Sequence, residues 1–166
     1  MKKLFLIGGT MGIGKTTVCQ LLKEKLDNAV FLDGDWCWDA DPFYINEETK
    51  KMVQDNIYYL LNNFTHCSMY DNIIFGWVMH EQTIIDDLIA NIDISNCEVF
   101  PISLVCTPEA LCKRIIKDVE EGVRKQDVLE RSLQRLPMYK NLKTIKIDVS
   151  EITPEEEVEI IFHKLI

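Results

Sequence analysis

Apolar residues come along this chain in two alternating rhythms. Short runs, 3–8 (KLFLIG), 29–33 (AVFLD), 72–78 (NIIFGWV), 99–105 (VFPISLV) and 143–149 (KTIKIDV), are mostly apolar on both faces. That is the pattern of strands in a parallel sheet covered by helices. Between them apolar residues recur at helical spacing: Val18, Leu21, Leu22 and Leu26; Val53, Ile57, Leu60, Leu61 and Phe64; Ile84, Ile85, Leu88, Ile89 and Ile92. Leu111, Ile115 and Val119 continue the series, and Val158, Ile161, Phe162 and Leu165 end it. Each set makes one buried stripe on a helix. Thr107-Pro108 and Thr153-Pro154 place a cap before a first-turn proline. Thr153 with Glu156, and Asp127 with Glu130, have capping-box spacing.

Strands alternating with helices predict an α/β, doubly wound, five-stranded parallel sheet with helices on both faces. Residues 1–166 read as a single domain, since no repeat, linker or low-complexity stretch divides them. The one long irregular connection, 36–48, follows the second strand, and long connections in compact domains are often functional.

The first strand runs into Gly9-Thr10-Met11-Gly12-Ile13-Gly14-Lys15-Thr16, followed by Thr17. This is G-x-x-x-x-G-K-[ST], the phosphate-binding P-loop, standing after a strand and before a helix as its chemistry requires. The glycines let successive N–H groups converge on one oxyanion, and the helix start adds its positive end. Lys15 brings a cation to the β- and γ-phosphates, and the Thr16 hydroxyl is a ligand suited to Mg²⁺. ATP and Mg²⁺ are therefore the expected cofactors.

Asp33 and Asp35 close the second strand. In a parallel sheet that edge borders the binding crevice. An extended D-x-D would put both carboxylates on one side, one able to hold a Mg²⁺-bound water and the other to accept the proton of an attacking hydroxyl.

At this point the chain resembles the small P-loop kinases of metabolites and nucleotides, such as the shikimate, gluconate, adenylylsulfate and nucleoside monophosphate kinases. The resemblance rests on GGTMGIGKTT, LDGD, SLVCTPEALCKRI and RKQDVLERSLQRL. It implies a strand order 2-3-1-4-5, an acceptor-binding segment at about 36–66 and an arginine-bearing lid at about 117–135. It also implies Asp33 beside Mg²⁺, Asp35 as general base and Lys15 on the phosphates. Arg114 and the loop near Ser150–Thr153 would border the adenine, and Arg124, with Arg131 and Arg135 as weaker matches, would reach the transferring phosphoryl group. The glycine triplet and substrate arginine of shikimate kinases are not found, and the third strand lacks a terminal Walker B acid.

All four arginines lie between 114 and 135, with Arg131 and Arg135 spaced i, i+4. Residues 28–96 contain twelve acids, Lys50 and Lys51, and no arginine. Trp36, Trp38, Phe43, Tyr44 and Trp77 could stack on a ring, and His80 follows the third strand at the crevice edge. These features predict a γ-phosphoryl transferase acting on a hydroxyl of a neutral or cationic metabolite or nucleoside. A nucleoside monophosphate kinase using Lys50 or Lys51, and a non-catalytic ATP-binding sensor, are the alternatives.

The net charge of −9 argues against nucleic acid as a partner. No run approaches the ~20 residues of a membrane span, and the four-residue apolar start is shorter than a signal-peptide core. Six cysteines without metal or disulfide spacing suit reduced thiols. A cytoplasmic protein, monomeric or homodimeric, with a small-molecule acceptor, is expected.

Overall fold

The computed structural model describes residues 1–165. Five strands form one parallel sheet: β1 (Lys2–Gly8), β2 (Ala29–Asp33), β3 (Asn72–Trp77), β4 (Cys97–Val105) and β5 (Ile145–Asp148). Their order is β2-β3-β1-β4-β5, as the kinase resemblance implied. Six α-helices connect and flank them: α1 (Lys15–Lys25), α2 (Glu47–His66), α3 (Gln82–Asn91), α4 (Pro108–Glu120), α5 (Val128–Arg135) and α6 (Pro154–Leu165).

The alternation of side chains in β1 explains why both faces are covered. Phe5 and Ile7 point into one core with Val18 and Leu22 of α1, Ile115 of α4 and Ile161 of α6. Leu4 and Leu6 point into the other, with Val53, Ile57 and Leu61 of α2 and Ile85 and Leu88 of α3. Each of these thirteen side chains is almost fully removed from water, and each full burial contributes about 1.5–3 kcal/mol.

The helix starts follow their side chains. Thr107 accepts from the Ala110 N–H at 3.2 Å, and Thr153 and Glu156 form the expected reciprocal box. Asn46 and Thr49 make a further box that opens α2. The Asp127–Glu130 box does not form. Asp127 is already helical (φ −66°, ψ −16°), so its carboxylate turns instead to Arg131 at 3.1 Å. β5 is shorter than its apolar pattern, because a 3₁₀ turn at Leu136–Asn141 delivers the chain to the sheet only at Ile145.

No helix among the described residues is long and apolar enough to cross a membrane. All six cysteines are unpaired.

Candidate active site

The P-loop lies where β1 ends, at the carboxyl edge of the sheet. Gly12 and Gly14 take φ of 82° and 107°, a left-handed backbone that side chains resist. A Cβ at Gly12 would also stand 2.5 Å from Ile115. Ile13 between them is buried and anchors the arch. Thr10 is fully buried, and its hydroxyl donates to the Ser132 carbonyl of α5 at 3.0 Å. Thr17 stays exposed on the first turn of α1.

Lys15 folds back over the loop, and its ammonium donates to the Thr10 carbonyl at 3.0 Å. Burial pulls its pKa down to about 8, against the opposing pull of the Asp35 and Asp33 charges. Arg124 adds a small further lowering, which places its charge near the same loop. Its guanidinium is tied to Asp118 at 2.8 Å.

The Thr16 hydroxyl donates to Asp33 Oδ2 at 2.8 Å. These are two hard oxygen donors at the mouth of a phosphate loop, the donor set Mg²⁺ selects. Among the described residues no cluster of three or more histidine, cysteine or acidic side chains competes for a metal.

The D-x-D pair does not run on as extended chain. β2 stops at Asp33, and Gly34–Trp38 wind into a 3₁₀ turn. Asp33 caps that turn by accepting from the Asp35 N–H at 3.0 Å. A Cβ at Gly34 would stand 2.5 Å from the Trp77 ring, so only glycine lets the turn seat there. Asp33 is therefore buried beside Thr16. Asp35 is exposed one step outward, where its Oδ1 accepts from the Trp77 indole at 3.2 Å.

Asp35 opens onto a cavity of about 700 Å³. Met11 of the P-loop, Trp38, Trp77, His80, Lys50, Arg131 and Arg135 line it too. Trp36 does not. It is half-exposed and packs edge-on against Phe31, 5.1 Å away, because the 3₁₀ turn rotates it off the cavity side. Lys51 pairs with Asp55 away from the cavity.

Arg114 spans two carbonyls. It donates to Ile13 at 2.6 Å and to Val149, joining the P-loop to the end of β5. Ser150 accepts from the Thr107 N–H at 2.9 Å and donates to Asp148 at 2.6 Å. Both groups are engaged within the protein, Arg114 at the P-loop and Ser150 just beyond β5. Arg131, expected on the phosphates, lines this same cavity and is held by Asp127.

Sequence reasoning missed the part α5 plays. Residues 28–96 themselves hold no arginine. In the fold, α5 crosses over and brings Arg131 and Arg135 to that cavity. The cavity therefore carries arginine as well as the acids Asp35, Asp39 and Glu81. Their i, i+4 spacing showed that they share a face, but not which cavity the face meets.

Comparison with known proteins places this geometry. Among solved structures, the tunicamycin resistance protein of Deinococcus radiodurans superposes with a TM-score of 0.75 at 15% identity, over 99% of this chain and 96% of that one. A gluconokinase from Sinorhizobium meliloti 1021 gives 0.69 at 16% identity, over 95% and 87%. The shikimate kinase of Aquifex aeolicus gives 0.61 at 20% identity, over 98% and 95%. At these identities the likeness establishes a shared fold, that of small P-loop kinases. No curated protein matches in sequence. The AAA domain family matches residues 6–135, from β1 through the P-loop and both aspartates to the end of α5, and the chain belongs to that family.

Proposed function

We propose that the protein is an ATP- and Mg²⁺-dependent kinase that transfers a phosphoryl group to a hydroxyl of a small molecule. One observation carries this reading: Asp35 lines a cavity that reaches Met11 of the P-loop, next to the Thr16–Asp33 pair. A carboxylate so placed can accept a hydroxyl proton beside a bound triphosphate. A protein that only sensed ATP would have no use for a carboxylate so placed.

The geometry supports the following roles. The P-loop amides and Lys15 hold the phosphates. Thr16 and Asp33 would hold Mg²⁺, with Asp33 acting through a bound water. That ion would neutralise charge on the phosphate oxygens. Asp35, steadied by the Trp77 indole, orients and deprotonates the acceptor hydroxyl. Arg124 lies near Gly12, since a Cβ there would come within 3.9 Å of its Nε, and from that position it can stabilise charge on the group in transfer. The Asp118 bond would have to open or share for that contact.

The acceptor cavity mixes charges: Asp35, Asp39 and Glu81 against Lys50, Arg131 and Arg135. Trp38, Phe43 and Trp77 supply apolar wall. That mixture suits a polar metabolite or nucleoside rather than a greasy ligand.

The test is a transfer assay with γ-labelled ATP and Mg²⁺ against a panel of polyols, sugars, hydroxy acids, nucleosides and nucleotides. Label should pass to at least one class of hydroxyl. Tight ATP binding with no transfer to any of them would favour the sensor alternative.

A further inference from the structure

The chain reaches Arg124 through a sharp reversal at the end of α4. Gly122 takes φ 74°, and its N–H donates to the Val119 carbonyl at 3.0 Å. The Val123 N–H donates to the Asp118 carbonyl at 2.8 Å. These are the paired bonds with which helices commonly end on a left-handed glycine. The Arg124 N–H joins them, reaching the same Asp118 carbonyl at 3.2 Å. The backbone of Arg124 is thereby set beside the turn of α4 that carries Asp118.

The Asp118 side chain then takes hold of the same residue. Its Oδ2 accepts from Arg124 Nε at 2.8 Å, and both side chains are partly buried. Asp118 therefore meets Arg124 twice, through its carbonyl and through its carboxylate. The neighbouring pair on this turn is of another kind. Lys117 and Glu121 stand 3.8 Å apart and both are well exposed, the geometry of a screened surface contact.

Which nitrogen is held decides what the pair can do. A guanidinium carries its donors in a planar fork, and a carboxylate that pairs with it for charge alone commonly grips two nitrogens. Asp118 takes only Nε, and the terminal nitrogens of Arg124 make no hydrogen bond among the described residues. The side chain lies over the P-loop. Nε would come within 3.9 Å of a Cβ at Gly12, and the Arg124 charge lowers the Lys15 pKa. The stem is thus tethered while the outer fork stays open at the phosphate site. Ordering a flexible side chain before its ligand arrives takes that cost out of the binding step.

We propose that Asp118 is a positioning residue, which keeps Arg124 Nε bound while the terminal nitrogens of the same guanidinium meet the γ-phosphoryl group. The inference rests on the kinase reading for the role of Arg124 and extends it to a residue outside both cavities. The Asp118–Arg124 bond is then shared with the nucleotide and not exchanged for it. Asp118 acts on the phosphoryl group only through Arg124.

The probe is MgADP with beryllium fluoride, which stands in for the γ-phosphoryl group, compared with MgADP alone. Arg124→Ala should weaken the fluoride complex about tenfold or more, with MgADP little changed. Asp118→Ala should weaken it about three- to tenfold, the cost of ordering the freed side chain. Added to Arg124→Ala, it should cost nothing further, since its effect runs through that residue. Asp118→Asn keeps an oxygen that can accept from Nε and should bind within about twofold of the unaltered protein. Lys117→Ala breaks only the exposed pair on the same turn and should match the unaltered protein. By NMR, the Arg124 Nε–H signal, identified by its loss in Arg124→Lys, should stay protected from solvent exchange with and without the fluoride complex. Protection lost when the complex forms, or tighter binding in Asp118→Ala, would overturn the proposal, because Asp118 would then hold Arg124 back. Equal losses from Asp118→Ala with and without Arg124, or from Lys117→Ala, would overturn it too and point to the helix end alone. These results with no phosphoryl transfer to any acceptor would leave Asp118 its role and remove the kinase reading. Transfer by Asp118→Ala at the unaltered rate would do the reverse.

Discussion

The Thr10 hydroxyl donates a 3.0 Å hydrogen bond to the Ser132 carbonyl, 122 positions further along the chain. Both residues are fully buried. The bond pins α5 onto the P-loop, so the element that carries Arg131 and Arg135 is referenced directly to the phosphate site. The same carbonyl also accepts the Leu136 N–H that ends α5.

Thr10→Val keeps the shape and removes the bond. It should cost about 1 kcal/mol of stability, the net worth of one such hydrogen bond. It should also raise the KM for ATP and for the acceptor several-fold, because α5 loses its register on the loop. Thr65→Val is the control. Thr65 is also buried, and its hydroxyl bonds only the Asn62 carbonyl within α2. A urea melt should show a similar loss for both variants. Steady-state kinetics should separate them.

Lys15 should set a pH limit on nucleotide binding. Burial lowers its pKa to about 8 in the folded protein, against 10.5 for a free side chain. Below pH 8 the ammonium is charged and attracts phosphate. As pH rises past 8 the charge is lost, and affinity for an ATP analogue should fall by up to about tenfold per pH unit. Stability of the empty protein moves the other way. The unfolded chain keeps the proton up to 10.5, so the strain of burying the charge is full below pH 8 and eases between 8 and 10.5. Calorimetric titration and chemical denaturation from pH 7 to 10, with Lys15→Met for reference, check both signs. Lys15→Met should show neither trend.

Glu157 is a buried acid in the first turn of α6, with Oε2 unpartnered. Burial raises its pKa to about 7, although the Arg114 charge pulls down. Its folded pKa lies above the unfolded 4.5, so the folded state is penalised once the group must ionise. The penalty is absent below pH 4.5 and complete above pH 7. Glu157→Gln should therefore stabilise the protein at pH 8, on the order of 1 kcal/mol after solvent screening, and change little at pH 4.5. Thermal melts at the two pH values decide it. Equal effects at both would show that packing, not ionisation, governs the position.

Much of this was legible in the chain because it is written locally. The P-loop is a run of eight residues whose backbone geometry depends on its own glycines, and the strands and helices follow from period-2 and period-3.6 apolar spacing. What escaped depended on distant contacts. The 3₁₀ turn at Gly34–Trp38 exists because Gly34 can lie against Trp77, more than forty residues away, and that turn sends Trp36 outward. The side of α5 that meets the acceptor cavity is fixed by the Thr10–Ser132 bond and by packing, neither of which has a signature in spacing. Asp127 had the right separation from Glu130 for a cap, yet the tight turn before it had already made it helical.

The central claim is that Asp35 removes a proton from an acceptor hydroxyl while the P-loop holds the donor phosphates. Asp35→Asn tests it most directly, measured as turnover alongside the Kd for the magnesium complex of an ATP analogue. Turnover should fall about 10²–10⁴-fold with the Kd unchanged within a factor of two. Undiminished turnover in Asp35→Asn, or no magnesium-dependent binding of the analogue to the unaltered protein, would contradict the account.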